Sequence, residues 1–221
     1  MKTQLLSVSK IFTERILRIP DYQRGYAWTE KELRDFWNDL IQLENEKNHY
    51  TGVLTLEDVP DSQVSQWQDD LWIIQSKNYA PYYVVDGQQR LTTTIILIQA
   101  IIECIPENTR LNFTTAQEIK KKFIFDTKDE GISRSYLFGY EKDNPSYEFL
   151  KTQIFLENSD SSLPVQETIY TYNLEFAKKY FLKNLKELTL ERIETLYRKL
   201  TQNFLFNIYA ISWTIRTNDV Q

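Results

Sequence analysis

Cysteine and histidine each occur once in the 221 residues, as Cys104 and His49. A lone cysteine can neither close an internal disulfide nor anchor a zinc site, so the chain reads as intracellular and cytoplasmic. A lone histidine excludes any centre that needs two. Glycine (5) and proline (6) are scarce, which argues against a linker-rich protein or a turn-rich sandwich. Long apolar runs are missing too. The most apolar stretch, Thr94–Ile105, is broken by Gln99 and Glu103 and is too short to span a bilayer, so no membrane partner is expected. The first residues, MKTQLLSVSKIF, hold neither a long apolar core nor a small-residue cleavage site, so no secretory signal is read. Positive charge is in deficit, with 26 Lys+Arg against 31 Asp+Glu and a net charge of −5. Domains that bind duplex DNA across their own surface are usually basic, although a local basic cleft is compatible with this balance.

Aromatics are plentiful. They make up 14% of the chain and supply a core despite few valines and alanines. Hydrophobic residues at 42% and charged residues at 26% are globular values that exclude disorder. At roughly 150 residues per domain, the length fits one large domain or one and a half small ones. The texture changes near residue 105. Before it, short apolar runs alternate with turn signals and two helical patterns; after it, the pattern reads as mostly helical. We therefore expect an α+β protein, with a small mixed sheet and helices over 1–105 and a mainly helical extension over 106–221 packed on it. The abrupt end at Val220-Gln221, just after a β-like stretch, reads as that of a piece of a longer protein.

Local patterns place the elements. Ser7–Ile16 reads as helical or irregular, and Leu17–Ile19 as a short strand ending at Pro20. Thr29 with Glu32 forms a capping box before a helix over 30–46. Tyr50–Glu57 and Tyr82–Val85 read as strands, and a further strand is expected within Gln66–Ser76. Gln88–Cys104 reads as a long apolar helix. Later, Thr115 with Glu118 caps a helix over 115–124. Helices are also expected over 146–157, Gln166–Leu188 and Leu190–Thr201, then a strand at Phe204–Ile211. Asn158–Pro164 reads as a loop.

The strongest local signal is YYVVDGQQRLTTTIILIQAII, residues 82–102, a strand, a tight turn and a helix. A helix N-terminus carries unpaired amides and a positive dipole end, which bind phosphate readily. Gly87 allows positive φ and close approach of a ligand. Arg90 in the first helical turn is unfavourable unless an anion lies nearby, and a guanidinium grips phosphate in bidentate fashion. Asp86 could bind the Mg²⁺ of a nucleotide, Gln88 and Gln89 could hold phosphate oxygens or orient a water, and Thr92 and Thr93 could donate hydroxyls. An alternative stays open: Asp86 as N-cap with Gln89 at N3 is a capping-box variant that needs no ligand, and Arg90 then pairs with a surface carboxylate.

A second signal is IPDYQRGYAW, residues 19–28, which displays Tyr22, Gln23, Arg24, Tyr26 and Trp28 in quick succession. Arginine and aromatic side chains stack on bases and grip phosphates. The segment reads equally as an aromatic turn anchoring the next helix, with Arg24 over Trp28. Trp67 and Trp72 form either an aromatic pocket or part of the core. Cys104 reads as a buried small hydrophobe, and the lysines at 120–122 and 178–179 as solvated helix faces.

IPDYQRGYAW, YTGVLTL and VVDGQQRLTT, in this order, resemble the N-terminal domain of GmrSD-type proteins, which act in modification-dependent restriction and anti-phage defence. The resemblance is specific over residues 10–105 and weaker over 107–211. It implies a core similar to the ParB/sulfiredoxin fold. It also implies binding and hydrolysis of a nucleoside triphosphate of unspecified base with Mg²⁺, coupled to DNA recognition or to control of a nuclease. Carried over, Asp86, Gly87, Gln88, Gln89 and Arg90 form the hydrolytic motif, with Asp86 at the metal. Tyr22, Gln23 and Arg24 line the opposite wall, and Gly52 sits in the strand beside the site. Asp39 is a candidate acid or a solvated helix charge. The implied partners are DNA in the full-length protein and a C-terminal nuclease domain or subunit, and the sequence is compatible with an oligomer. The family's His-Asn-His-type nuclease half has no counterpart here, so no DNA cleavage is expected of this chain alone; His49 reads as structural or surface. The alternative function is a ParB-like DNA- or protein-binding module without catalysis.

Overall fold

The structure is a computed structural model that describes residues 3–131, 133–158 and 167–211. Its main strands are Thr3–Ser7 (β1), Arg15–Ile19 (β2), His49–Asp58 (β3), Ala80–Asp86 (β4), Phe125–Lys128 (β5), Ser133–Tyr136 (β6), Phe138–Tyr140 (β7) and Phe204–Ile211 (β8). The longer helices are Glu30–Gln42 (α1), Leu71–Lys77 (α2), Gln88–Cys104 (α3), Ala116–Phe123 (α4), Ile169–Leu185 (α5) and Leu190–Arg198 (α6). Six strands form one mixed sheet in the order β1-β8-β3-β4-β2-β7, and β5 pairs with β6 in a separate hairpin. The class is α+β, as the sequence implies. Strands β7 and β8, from the second half of the chain, enter the same sheet as those of the first.

Helix α3 is the centre of the core. Every residue from Leu91 to Ile101 is buried, so it has no solvent face and must be covered on all sides. Thr92, Thr93, Thr94, Ile95 and Ile96 are β-branched and intrinsically poor helix formers. Burial offsets this at about 25 cal/mol per Å² of apolar surface. The hydroxyls of Thr93 and Thr94 donate back to the carbonyls of Gln89 and Arg90, each at 2.8 Å, which satisfies them without solvent. Helix α5 packs on α3 and buries its Leu174, Ala177, Phe181 and Leu185 stripe.

Two irregularities in the sheet matter for the site. Leu205 faces Tyr50 and Phe206 faces Gly52, so Thr51 is an extra residue on β3. Thr55 pairs with Asp86 and Leu56 with Val84, so Val85 is an extra residue on β4. Such bulges take backbone groups out of the ladder and re-aim them.

Several expected elements differ. The Gln66–Ser76 strand is instead helix α2 over Leu71–Lys77, ended by Asn78 in the left-handed region (φ 57°). The short apolar run LWII does not distinguish strand from helix by periodicity. The helix over 30–46 stops at Gln42, because Leu43 turns extended. Within Ser7–Ile16 only Val8–Ile11 is helical, between β1 and β2. The helix expected at 146 makes one α-turn and then a wider π-turn over Leu150–Ile154. Lys178 is not solvated. It is buried, pairs with Glu103 at 2.8 Å and donates to the Gln153 and Ile154 carbonyls that the wide turn leaves open. Most of the expected Asn158–Pro164 loop lies outside the described residues.

Candidate functional site

The turn from β4 into α3 opens on a cleft of about 380 Å³ lined by Gln23, Arg24, Trp28 and residues 85–90. Gly87 is the N-cap of α3, with φ 83°. A Cβ there would lie 2.6 Å from the Val53 carbonyl oxygen, so both conformation and space require glycine. The helix therefore starts at a residue without a side chain. No side chain caps it, and its first turn holds no acidic residue. The amides of that turn and the positive end of the dipole lie at the cleft, where the nearest lining carboxylate is that of Asp86, just before the helix. The capping box expected between Asp86 and Gln89 does not form. Asp86 lies outside the helix, exposed, and one carboxylate oxygen accepts the Gly87 amide at 2.7 Å.

Arg90 lies half-buried against β3. Its Nη1 donates to Thr51 O and its Nη2 to Val53 O, each at 3.3 Å, carbonyls that flank the β3 bulge. No surface carboxylate pairs with it among the described residues. The guanidinium lies over Gly52, where a Cβ would come within 2.1 Å of Nη1. Gly52, at φ 134°, is thus the floor beneath the arginine. Two of its five N–H donors are engaged, and Arg90 is among the residues that line the cleft.

The two glutamines act as a clamp on the 20–28 segment. Gln88 Nε2 donates to Gln23 Oε1 and to the Arg24 carbonyl, both at 3.2 Å. Gln23 Nε2 in turn donates to the carbonyl of the bulged Val85 at 3.0 Å. Gln89 Nε2 donates to Gly25 O at 3.1 Å, and its Oε1 accepts from Ala27 N at 2.8 Å. Gln88 Oε1 is buried and has no partner among the described residues, a burden of roughly 1–3 kcal/mol. Arg24 is exposed, and its side chain forms no hydrogen bond or ion pair among the described residues.

Three expected residues stand apart. Thr92 is buried against Tyr140, and the Thr93 hydroxyl meets the Tyr26 hydroxyl at 2.7 Å; neither lines the cleft. Tyr22 is 68% exposed and points away, its pKa raised by partial burial and by Glu57, Glu141 and Asp21. His49 stacks on Phe204 with ring centres 4.6 Å apart and lies 3.6 Å from Asp39, away from the cleft lining. Cys104 is half-buried, and burial raises its pKa, so it is no activated thiolate. The backbone contributions, Val85 O, Thr51 O and Val53 O, carry no side-chain signature and were not readable from sequence.

The arrangement fits a phosphate chain: free amides, two guanidinium groups and a cleft of nucleotide scale. It fits Mg²⁺ only in company, because the described residues hold no group of three metal-ligating side chains. Asp86 alone would share the ion with phosphate oxygens, as Mg²⁺ commonly permits. A family model described as the GmrSD restriction endonuclease, N-terminal domain, matches residues 4–220. Comparison with curated proteins finds no match.

Proposed function

Since this chain belongs to the family of GmrSD restriction endonuclease N-terminal domains, we propose that the α3 cleft is the nucleoside-triphosphate site of a module that couples nucleotide hydrolysis to DNA recognition or cleavage by a nuclease domain or subunit. The observation that carries the reading is the uncapped, acid-free start of a buried helix set between Arg24 and Arg90. The amides after Gly87 would receive phosphate oxygens. Arg90, already oriented by two carbonyls, would add its remaining donors from below. Arg24 would close over the phosphates from the loop. Charge growing on a transferring phosphoryl group would then be met by groups that need no reorganisation. Asp86 would hold the Mg²⁺ that travels with the nucleotide, and the ion would neutralise phosphate charge. A donor reaching Gln88 Oε1, from a water or from the ligand, would offset the burden of that unpaired acceptor.

The test is a thermal melt and a calorimetric titration with each triphosphate and Mg²⁺. A ligand present at 100 times its Kd stabilises by about 2.7 kcal/mol. We expect a raised Tm that Arg24→Ala removes while the ligand-free Tm stays put, because the Arg24 side chain holds no hydrogen bond or ion pair among the described residues. No shift with any triphosphate would overturn the proposal. Binding without phosphate release would favour the non-catalytic alternative.

A further inference from the structure

Of the aromatic residues in the 19–28 segment, Trp28 alone lines the α3 cleft. It is half-buried and packs against the core on one side. Its ring partner among the described residues is Phe36 of α1, met edge-on with ring centres 6.0 Å apart and planes at 63°. The sequence allows Arg24 to lie over this indole, but the Arg24 side chain makes no such contact among the described residues. The indole N–H forms no hydrogen bond among them either. Trp28 is thus an aromatic surface in the cleft wall, held from behind and committed to no other ligand.

The polar groups around it are differently placed. Gln23 uses its amide nitrogen on the Val85 carbonyl and its amide oxygen on Gln88. Gln89 uses both ends of its amide on Gly25 and Ala27. These amides are spent on the protein, so neither is left to read the paired donors and acceptors of a base edge. Strong discrimination between bases needs such matched groups. Gln88, 7% exposed, keeps one unpartnered buried acceptor, Oε1, in the same lining. A lone acceptor does not discriminate, because all the common bases carry an N–H donor on their pairing edge. Every base also has a π face, so an aromatic wall accepts them all.

We propose that Trp28 stacks on the base of the nucleotide in the α3 cleft, and that the site therefore takes nucleoside triphosphates with little preference among bases. This rests on the nucleotide reading of the cleft and adds to it the contact beyond the phosphates. Trp28 comes from the same segment as Arg24, so one short stretch of chain would hold both ends of the ligand.

The test is a titration of the full chain, with Mg²⁺, by each of the four common ribonucleoside triphosphates and by inorganic tripolyphosphate, which has the phosphates and no base. We expect the four nucleotides to bind within a few-fold of one another and more tightly than tripolyphosphate. Trp28→Ala should weaken all four by about tenfold and leave tripolyphosphate unchanged, while Trp28→Phe keeps most of the affinity. The nucleotides, and not tripolyphosphate, should quench the intrinsic tryptophan fluorescence, and Trp28→Phe should remove that quenching. If Trp28→Ala fails to fold, the quenching in the wild-type and Trp28→Phe proteins decides. Equal losses for tripolyphosphate and nucleotides in Trp28→Ala would make Trp28 a prop for the loop and overturn the proposal. So would unchanged nucleotide affinity, or one base preferred by far over the others. Binding of none of the five probes would bring down the nucleotide reading itself, whereas tripolyphosphate binding that ignores Trp28, with nucleotides no tighter, leaves the phosphate site standing and removes only the stacking.

Discussion

Gly52 shows how one missing side chain shapes the α3 cleft. Its φ of 134° is open essentially to glycine alone, and the Arg90 guanidinium occupies the space a Cβ would take. Gly52→Ala should therefore lower stability by about 1–3 kcal/mol and also displace Arg90, so nucleotide affinity should fall along with the melting temperature. Denaturant unfolding and calorimetry on the same variant check both halves. The buried pair Arg18–Asp70 makes a different residue-scale prediction. Each side chain is 8% exposed, so removing one leaves the other charged and dry. Asp70→Ala should cost about 3–5 kcal/mol in urea unfolding. Some of this was legible. The sequence marks Gly87 as a positive-φ turn and Arg90 as a misplaced cation. It does not show that β3 carbonyls, flanking a bulge, accept from that cation.

Among the elements, α3 and the 20–28 segment work as a unit because Gln88 and Gln89 hold the segment by its backbone. A motif glutamine reads from sequence as a ligand or water contact; here both ends of the Gln89 amide hold Gly25 and Ala27. Gln89→Leu should destabilise by about 1–3 kcal/mol for two lost hydrogen bonds. It should also weaken nucleotide binding through a displaced Arg24, without raising the salt dependence. A melt paired with nucleotide titration checks it, and unchanged values on both counts would remove the clamp. Helix α4 offers a cleaner case. The Thr115 hydroxyl accepts the Glu118 amide at 3.3 Å, the capping box the sequence predicts. Thr115→Ala should cost about 1 kcal/mol, measurable by thermal unfolding. Capping boxes are legible because all their partners lie within four residues. The fate of Trp72 and Lys178 was not, because α2 and the π-turn answer to distant partners.

For the molecule as a whole, the aromatic core sets an alkaline limit. Burial raises the pKa of Tyr26, Tyr83, Tyr136 and Tyr140, and pushes Tyr147 and Tyr197 up to about 12. The ordinary tyrosine value is about 10. A raised folded pKa contributes stability that is complete below the unfolded value and is lost as pH rises toward the folded one. Stability should therefore fall steadily above about pH 10. In an ultraviolet titration these tyrosines should ionise only together with unfolding. No described helix is long and apolar enough to cross a membrane. The chain alone determined the class, the long buried helix, the strand–turn–helix motif and the family, because each follows from local periodicity, turn chemistry or ordered motifs. Tertiary structure decided that one sheet draws strands from both sides of residue 105. It also brought Arg24 and Arg90 to opposite sides of one helix end, with Trp28 in the same cleft. Those juxtapositions come from β-pairing and packing between residues tens of positions apart, and no local pattern encodes them.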